Sequence, residues 1–260
     1  MLSGDGGDVA IVIGADGLLM IDGGLPSAPA DLHESRGRRG RPQGDHAVQY
    51  ALAFRSRPAA TKRLGRMGTK IVAHENTKKH LAVRTTMETA NRTFEAAEAR
   101  RAAGGKTFTT GGKMTFGKQQ LDARTFRSRT PTATRIIFFP ALNVLQPVTC
   151  CSTAAFPVID YSTGGWIGGM AAAARRSARS ATRPDAHVIP GHGVMATKAD
   201  LEATHDMLAT IHDRLAPMIK AGKTVEEAIA AKPTAEFDAR FGQRRAQARR
   251  VRAESPIPAS

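Results

Sequence analysis

The chain has 260 residues, 41% of them hydrophobic, which is enough for one large domain with a substantial buried core. No apolar run reaches the length of about 18 residues that a membrane-spanning helix needs, and the first residues do not have the pattern of a signal peptide. The net charge of +15 is concentrated in residues 33–63, 127–135, 175–183 and 244–254, which contain almost no aromatic residues on which nucleic-acid bases could stack.

The rest of the chain is close to neutral, as in an ordinary globular protein. We therefore expect no nucleic-acid partner and no membrane span, and by default we expect a cytoplasmic protein. The adjacent residues Cys150 and Cys151 are its only cysteines. They do not have the spacing of a cysteine-based zinc site, and neighbouring cysteines rarely form a structural disulfide.

The first half of the chain predicts mainly β-structure. Residues 9–13 and 18–21 are apolar runs joined by the Ala15-Asp16-Gly17 turn, which is typical of a β-hairpin that ends at Asp22. Further elements are predicted in chain order: strands at 48–52 and 69–73, a helix at 76–81, a helix within 86–103, and a threonine-rich strand between Gly105 and Gly111.

The second half predicts two strands and then two helices. Residues 136–139 and 143–145 have the composition of buried strands. Apolar residues recur at helical spacing from Leu201 to Met218, and Thr224 with Glu227 forms a capping box that opens a second helix. Strands alternating with helices indicate an α/β fold. We expect one domain over 1–243 and a basic, disordered tail over 244–260.

Pro190-Gly191-His192-Gly193 is the clearest candidate functional motif. It follows the apolar run 187–189 and precedes a predicted helix. Because glycines allow a tight turn, a histidine between them can point into a cleft at the end of a strand. A single imidazole holds zinc weakly, so His192 would need further ligands.

Four segments, together with the two helices that follow them, resemble the metallo-β-lactamase fold superfamily: Val9–Gly24, Gly68–Leu81, Phe156–Met170 and Val188–Leu201. The resemblance implies an αββα sandwich, incomplete where the sequence departs from the family pattern. It also implies zinc as the cofactor, and a zinc-activated water that hydrolyses an ester, thioester, lactam or related bond of a small-molecule substrate. It places His192 among the metal ligands and Asp22 beneath the metal site. We favour the simpler interpretation that Asp22 accepts backbone N–H groups at a strand end.

The other metal-ligand positions of that family do not match. A His-x-His-x-Asp-His loop should follow strand 48–52, but Phe54–Arg63 contains no histidine or acid. A second histidine should precede strand 136–139, where Arg127–Arg135 stands, and a bridging aspartate should follow strand 143–145, where Gln146–Cys151 stands. Only His192 matches, so we expect weak zinc binding and little or no activity.

One cause explains several departures. If Gln146–Ala155 is encoded by CAA CCG GTG ACC TGT TGT TCA ACG GCC GCN, one C inserted after the second base gives His-Thr-Gly-Asp-Leu-Leu-Phe-Asn-Gly-Arg, which restores the Gly-Asp element. A similar shift of Arg127–Arg135 gives Pro-Gln-Pro-His-Thr-Asp-Gly-Asp-Ser, and Phe54–Arg63 recovers only in part. We hypothesise that the gene carries compensating single-base shifts, which its coding sequence would reveal.

The remaining candidates favour simpler roles. His74 and His80 are predicted to be structural or surface residues, and His205 and His212 to flank the apolar stripe of their helix. An improvised site that joins His33 to His46 has little support, because it precedes strand 48–52. The alternative to a hydrolase is a non-catalytic protein that binds a polyanion through its basic segments, or a degenerate chain that barely folds.

Overall fold

The chain folds into two β-sheets with helices packed against them. The computed structural model describes residues 1–4, 7–14, 17–22, 47–50, 70–87, 92–94, 107–126, 134–147, 151–152, 155–159, 161 and 165–242. The segments 54–63, 127–133 and 148–150 and the predicted tail 244–260 lie outside these residues, so the expectations about their structure stay predictions.

The first sheet contains the predicted N-terminal hairpin. Its strands, in spatial order, are β1 (Leu2–Gly4), β2 (Gly7–Gly14), β3 (Gly17–Ile21), β4 (Ala47–Tyr50), β5 (Lys70–His74) and β8 (Thr107–Phe108). The first three strands pair antiparallel, and β4, β5 and β8 continue the sheet in parallel. The hairpin prediction is confirmed because β2 and β3 pair from Ala10 with Ile21 to Gly14 with Gly17.

The second sheet is a meander with a parallel strand at one edge. In spatial order it runs β13 (His187–Val188), β12 (Val144–Pro147), β11 (Thr134–Phe139), β10 (Gln119–Phe126) and β9 (Gly111–Phe116). Only β13 pairs parallel with its neighbour. Two further strands, β6 (Thr85–Met87) and β7 (Arg92–Phe94), pair with each other alone.

Five α-helices lie within the described residues: α1 (Glu75–Leu81), α2 (Ile167–Ser180), α3 (Lys198–Lys220), α4 (Val225–Ala230) and α5 (Asp238–Phe241). A single 3₁₀ turn, Ala235–Phe237, precedes α5. Both α3 and α4 begin with a complete capping box, as predicted for α4 from Thr224 and Glu227. None of these helices combines the length and the apolar character that crossing a membrane requires.

Strand alternation divides the core into two layers. Successive residues of β11 point to opposite faces, so Ile137 and Phe139 pack against Leu19 and Ile21 of the first sheet. On the other face, Ile136 and Phe138 pack with Ala178 of α2 and Leu201 of α3. The second sheet is therefore buried on both faces, between the first sheet and the α2–α3 layer.

The prediction of a helix within residues 86–103 is wrong for the part of this segment that the structure describes. Residues 85–87 and 92–94 form the β6–β7 pair, in which the hydroxyls of Thr86 and Thr93 lie 3.1 Å apart. Threonines favour strands because a β-branched side chain has restricted rotamers in a helix. The alanine and glutamate content that suggested a helix lies mostly at 95–103, outside the described residues.

The two capping boxes offer a matched test of what stabilises the fold. The Thr197 hydroxyl accepts the Asp200 N–H at 3.3 Å at the start of α3, a helix that buries Leu201 and Met207. Helix α4, capped by Thr224, buries no residue. We expect Thr197→Ala to lower the free energy of unfolding by about 1 kcal/mol. We expect Thr224→Ala to fray α4 locally and to leave the global transition nearly unchanged.

Urea denaturation followed by circular dichroism measures both variants. Equal losses of global stability would contradict the assignment of α3, and not α4, to the cooperative core.

Candidate functional site at the Gly-His-Gly turn

The Gly-His-Gly turn (residues 191–193) extends the edge of the second sheet. After β13, the Ile189 N–H donates to the Leu145 carbonyl at 2.8 Å, and the Gly191 N–H donates to the Cys151 carbonyl at 3.0 Å. His192 then forms a parallel bridge with Ser152. These contacts hold the Gly-His-Gly turn beyond the end of β13. The His192 side chain is exposed there.

The turn also contacts the first sheet. The Asp8 N–H donates to the Gly191 carbonyl at 2.9 Å. Gly7, which precedes it, has a φ of +116°, and a Cβ built there would lie 2.8 Å from the Gly191 oxygen and 3.5 Å from His192 Cε1. A residue with a side chain is therefore excluded at position 7 on both conformational and steric grounds. The turn joins the two sheets through backbone groups.

A buried glutamine completes this junction. Gln146 is 1% exposed, and its Nε2 donates to the Asp8 carbonyl at 3.4 Å. Its Oε1 has no hydrogen-bond partner within the part of the chain that the structure describes. A buried acceptor without a partner is destabilising. Among the described residues, only the amino group of the Gln146 side chain has a hydrogen-bond partner.

Two carboxylates lie at the same end of the first sheet. Because Ala10 pairs with Ile21, Asp22 follows β3 beside Val9, next along the chain to Asp8. Both aspartates are buried, and Asp22 adopts a left-handed φ of 72°. The structure therefore brings Asp22 to the sheet end that contacts the Gly-His-Gly turn. A metal-binding role for Asp22 or His192 stays a prediction.

Three other described histidines have structural contacts. His74 Nδ1 accepts the Asn76 N–H at 3.0 Å, and its Nε2 lies 2.6 Å from the Thr109 carbonyl, which ties β5 to its neighbours. His205 Nδ1 lies 2.9 Å from the Ala171 carbonyl, linking α3 to α2, and His212 contacts the ring of Trp166 edge-on at 5.7 Å. These contacts agree with the predicted structural roles. His33 and His46 and the side chain of His80 lie outside what the structure describes.

One charged group supports the strand that leads to the turn. Asp185 accepts hydrogen bonds from Arg183 Nη2 at 2.8 Å and from Asn143 Nδ2 at 3.2 Å. The hydrogen bond from the Arg183 guanidinium holds the pKa of the Asp185 carboxyl below its ordinary value of 3.8. The Asn143 carbonyl in turn accepts the His187 N–H at 3.0 Å, at the start of β13.

The residues that the structure describes do not form a zinc centre. Across the described ranges, no group of three or more histidines, cysteines, aspartates or glutamates lies close enough to hold a metal ion. The undescribed segments at the expected ligand positions, 54–63, 127–133 and 148–150, contain one such residue by sequence, Cys150. Cys151, which follows these segments, is buried. Among the described residues, only His192 stands where the resemblance predicts a metal ligand, and that role stays a prediction.

Solved structures of known proteins resemble this arrangement of sheets and helices. The sec-alkylsulfatase Pisa1 from Pseudomonas sp. superposes on 87% of this chain with a TM-score of 0.65 at 17% sequence identity, and the chain spans 42% of that protein's length. A metallo-β-lactamase from Pontibacter korlensis superposes on 78% of this chain and 87% of its own length, with a TM-score of 0.56 at 18% identity. DIM-1 metallo-β-lactamase gives a TM-score of 0.56 at 16% identity, over 78% of this chain and 87% of its own.

The chain has the metallo-β-lactamase fold. This confirms the fold that the resemblance of four sequence segments implied. No protein-family model matches the sequence, and no curated protein matches it. The metallo-β-lactamase fold is therefore evident from the arrangement of secondary structure, at identities below those that would extend an activity to this chain.

Gly7 provides a direct test of the junction between the sheets. We expect Gly7→Ala to lower the free energy of unfolding by about 2 kcal/mol or more, because alanine is strained at a positive φ and its Cβ would meet the Gly191 oxygen. The matched control is Gly112→Ala on β9, where a Cβ would have no neighbour within 4 Å.

Chemical denaturation of both variants, with ¹H–¹⁵N spectra to follow the amides of Asp8 and Gly191, measures the effect. A Gly7→Ala protein as stable as Gly112→Ala would contradict the close approach of β2 to the turn.

Proposed function

We propose that this protein keeps the metallo-β-lactamase scaffold and the His192 turn but has lost the zinc-dependent hydrolysis that the fold resemblance implies. The observation that carries the proposal is the content of the three ligand segments. Where zinc would need imidazoles and carboxylates, Phe54–Arg63 and Arg127–Arg135 contain neither, and Gln146–Cys151 contains only the two thiols. A zinc-activated water needs at least three protein ligands to hold the ion.

The arrangement around His192 supports the same conclusion. Gln146 occupies the start of the segment in which a bridging aspartate is expected, and an amide binds zinc poorly compared with a carboxylate. The Cys151 thiol is 2% exposed, and the Cys151 carbonyl is used to hold the Gly191 N–H. Among the described residues, no group of three or more histidines, cysteines, aspartates or glutamates could hold a metal ion, and a single imidazole binds metal weakly.

The turn has a structural role that needs no metal. Its backbone receives a hydrogen bond from Asp8 of the first sheet and donates one to the Cys151 carbonyl, which lies beside the second sheet. Chemistry in this fold would require side chains that converge on His192, but these contacts are made by backbone atoms. We infer that the Gly-His-Gly turn persists in this protein as a junction between the sheets.

Hydrolysis assays test the proposal. One neighbour is named as an alkylsulfatase and others as β-lactamases, so a secondary alkyl sulfate, a chromogenic cephalosporin and a phenyl ester cover the relevant bonds. With zinc added, we expect rates indistinguishable from those of the His192→Ala variant, because no metal-activated water forms. A zinc-dependent rate that His192→Ala abolishes would overturn the proposal.

Restoring the missing ligands gives the complementary test. The variant replaces two segments. Gln146–Ala155 becomes His-Thr-Gly-Asp-Leu-Leu-Phe-Asn-Gly-Arg, and Arg127–Arg135 becomes Pro-Gln-Pro-His-Thr-Asp-Gly-Asp-Ser. These segments supply histidines and aspartates as candidate ligands in addition to His192. We expect this variant to retain zinc after dialysis where the parent does not, and His192→Ala within it to release the ion. A repaired chain that folds and still binds no zinc would contradict the idea that these segments once carried ligands.

A further inference from the structure

The end of α3 and helix α4 form an arm that extends beyond the packed part of the helical layer. We define the arm as residues 216–236, and none of these residues is buried. The earlier part of α3 differs, because it buries Leu201, Met207 and Ile211 in the core. The arm is therefore a helical hairpin that adds no residue to the hydrophobic core of the described chain.

Polar contacts hold the arm in shape. At its base, the Arg214 guanidinium donates to the Pro233 carbonyl at 2.8 Å and to the Glu236 carboxylate at 2.7 Å. Within it, Lys223 Nζ donates to Glu227 at 2.6 Å beside the capping box of α4. A helix of six residues is too short to be stable on its own in water. The arm is thus fixed by hydrogen bonds, and the apolar packing that usually stabilises such a helix is missing from it.

Three large aliphatic side chains are exposed on the arm. Ile219 is 75% exposed, and Val225 and Ile229 are each 69% exposed. Val225 and Ile229 are four residues apart, so they lie on the same side of α4. Clustered apolar side chains at a surface indicate an interaction site. A standard protein interface takes about 20 to 30 residues from each partner, and the arm is long enough to supply this number.

The charges of the arm favour a second copy of the same chain as the partner. The whole chain carries +15, but the arm contains three lysines and three glutamates and is neutral. Two copies that repel each other elsewhere can therefore meet here. No ion pair joins Lys220, Lys232 or Glu226 to another residue in the described ranges. A second arm offers each of these side chains a group of opposite charge.

We propose that the protein is a homodimer in which the arms of two copies pack against each other about a two-fold axis. Such an interface uses the same patch on both subunits, so a patch with apolar residues and both signs of charge complements itself. Contact buries Ile219, Val225 and Ile229 and brings Glu226 towards the partner subunit's lysines. Because the hydrogen bonds at its base already hold the arm, little ordering opposes association. Dimerisation does not depend on whether the chain binds zinc.

Other partners fit the arm less well. A polyanion gains nothing from a neutral segment, since its binding depends on an excess of lysine and arginine. Helices that lie on anionic membranes have a basic polar face, whereas glutamates match the lysines of the arm in number. A second copy needs neither an excess of charge nor a lipid surface.

Sedimentation of the full-length protein between about 1 and about 100 µM tests the proposal. We expect a species of twice the chain mass of 27.7 kDa to form as the concentration rises. Each buried aliphatic side chain contributes about tenfold to affinity, so Ile219→Gln/Val225→Gln/Ile229→Gln should raise the dimer Kd at least about 100-fold. The control Val83→Gln/Val158→Gln/Tyr161→Gln removes three exposed large side chains outside the arm and should change the Kd by less than about threefold.

Every result supports or overturns the dimer. Circular dichroism and urea denaturation establish that both triple variants are folded, which we expect because α4 buries no residue and glutamine keeps its helix propensity. A wild-type chain that stays monomeric at about 100 µM would overturn the proposal, as would a dimer that the arm variant forms equally well. A monomer whose arm binds phosphatidylcholine vesicles would assign the arm to a lipid surface and would also overturn it.

Discussion

The two hydrogen bonds of Gly191 are the constraint on which this structure depends. One joins its carbonyl to the Asp8 N–H of the first sheet, and the other joins its N–H to the Cys151 carbonyl beside the second. They bring together segments that are far apart in the sequence, and they require a glycine at position 7, where the chain turns through a positive φ. The rest of the site is built on this backbone contact. The position of the His192 side chain is set by it, because His192 is the residue next to Gly191.

In this arrangement the packing that stabilises the fold does not depend on the residues that the resemblance predicts as metal ligands. The inter-sheet core is formed by apolar side chains such as Leu19, Ile137 and Phe139, and the outer layer by α2 and α3 on the second sheet. Neither layer uses a metal ligand for its stability. A chain can therefore lose the residues that bind zinc and still bury the same apolar surface. Gln146 is one position at which the core is not optimal, because its Oε1 is buried without a partner in the described structure.

Features with a local signal were predictable from the sequence. The β2–β3 hairpin followed from two apolar runs around a glycine turn, and α4 from the capping box of Thr224 and Glu227. Helix α2 was not predicted as a helix, because its buried face consists of small alanines and serines and glycines stand near its start. The role of Gly7 had no local signal either, since it depends on a contact with residues 191 and 192. Sequence reasoning found His192 through its flanking glycines but could not find the groups that position it.

The most direct test of the proposed loss of zinc binding is the zinc content of the folded, dialysed protein. It is measured by elemental analysis, with the His192→Gln variant measured in parallel. We expect well under about 0.1 zinc per chain in both proteins, since one imidazole cannot retain the ion. One or two zinc ions per chain, lost on substitution of His192, would show that other side chains converge on this turn. The protein would then hold the metal centre that we propose it has lost.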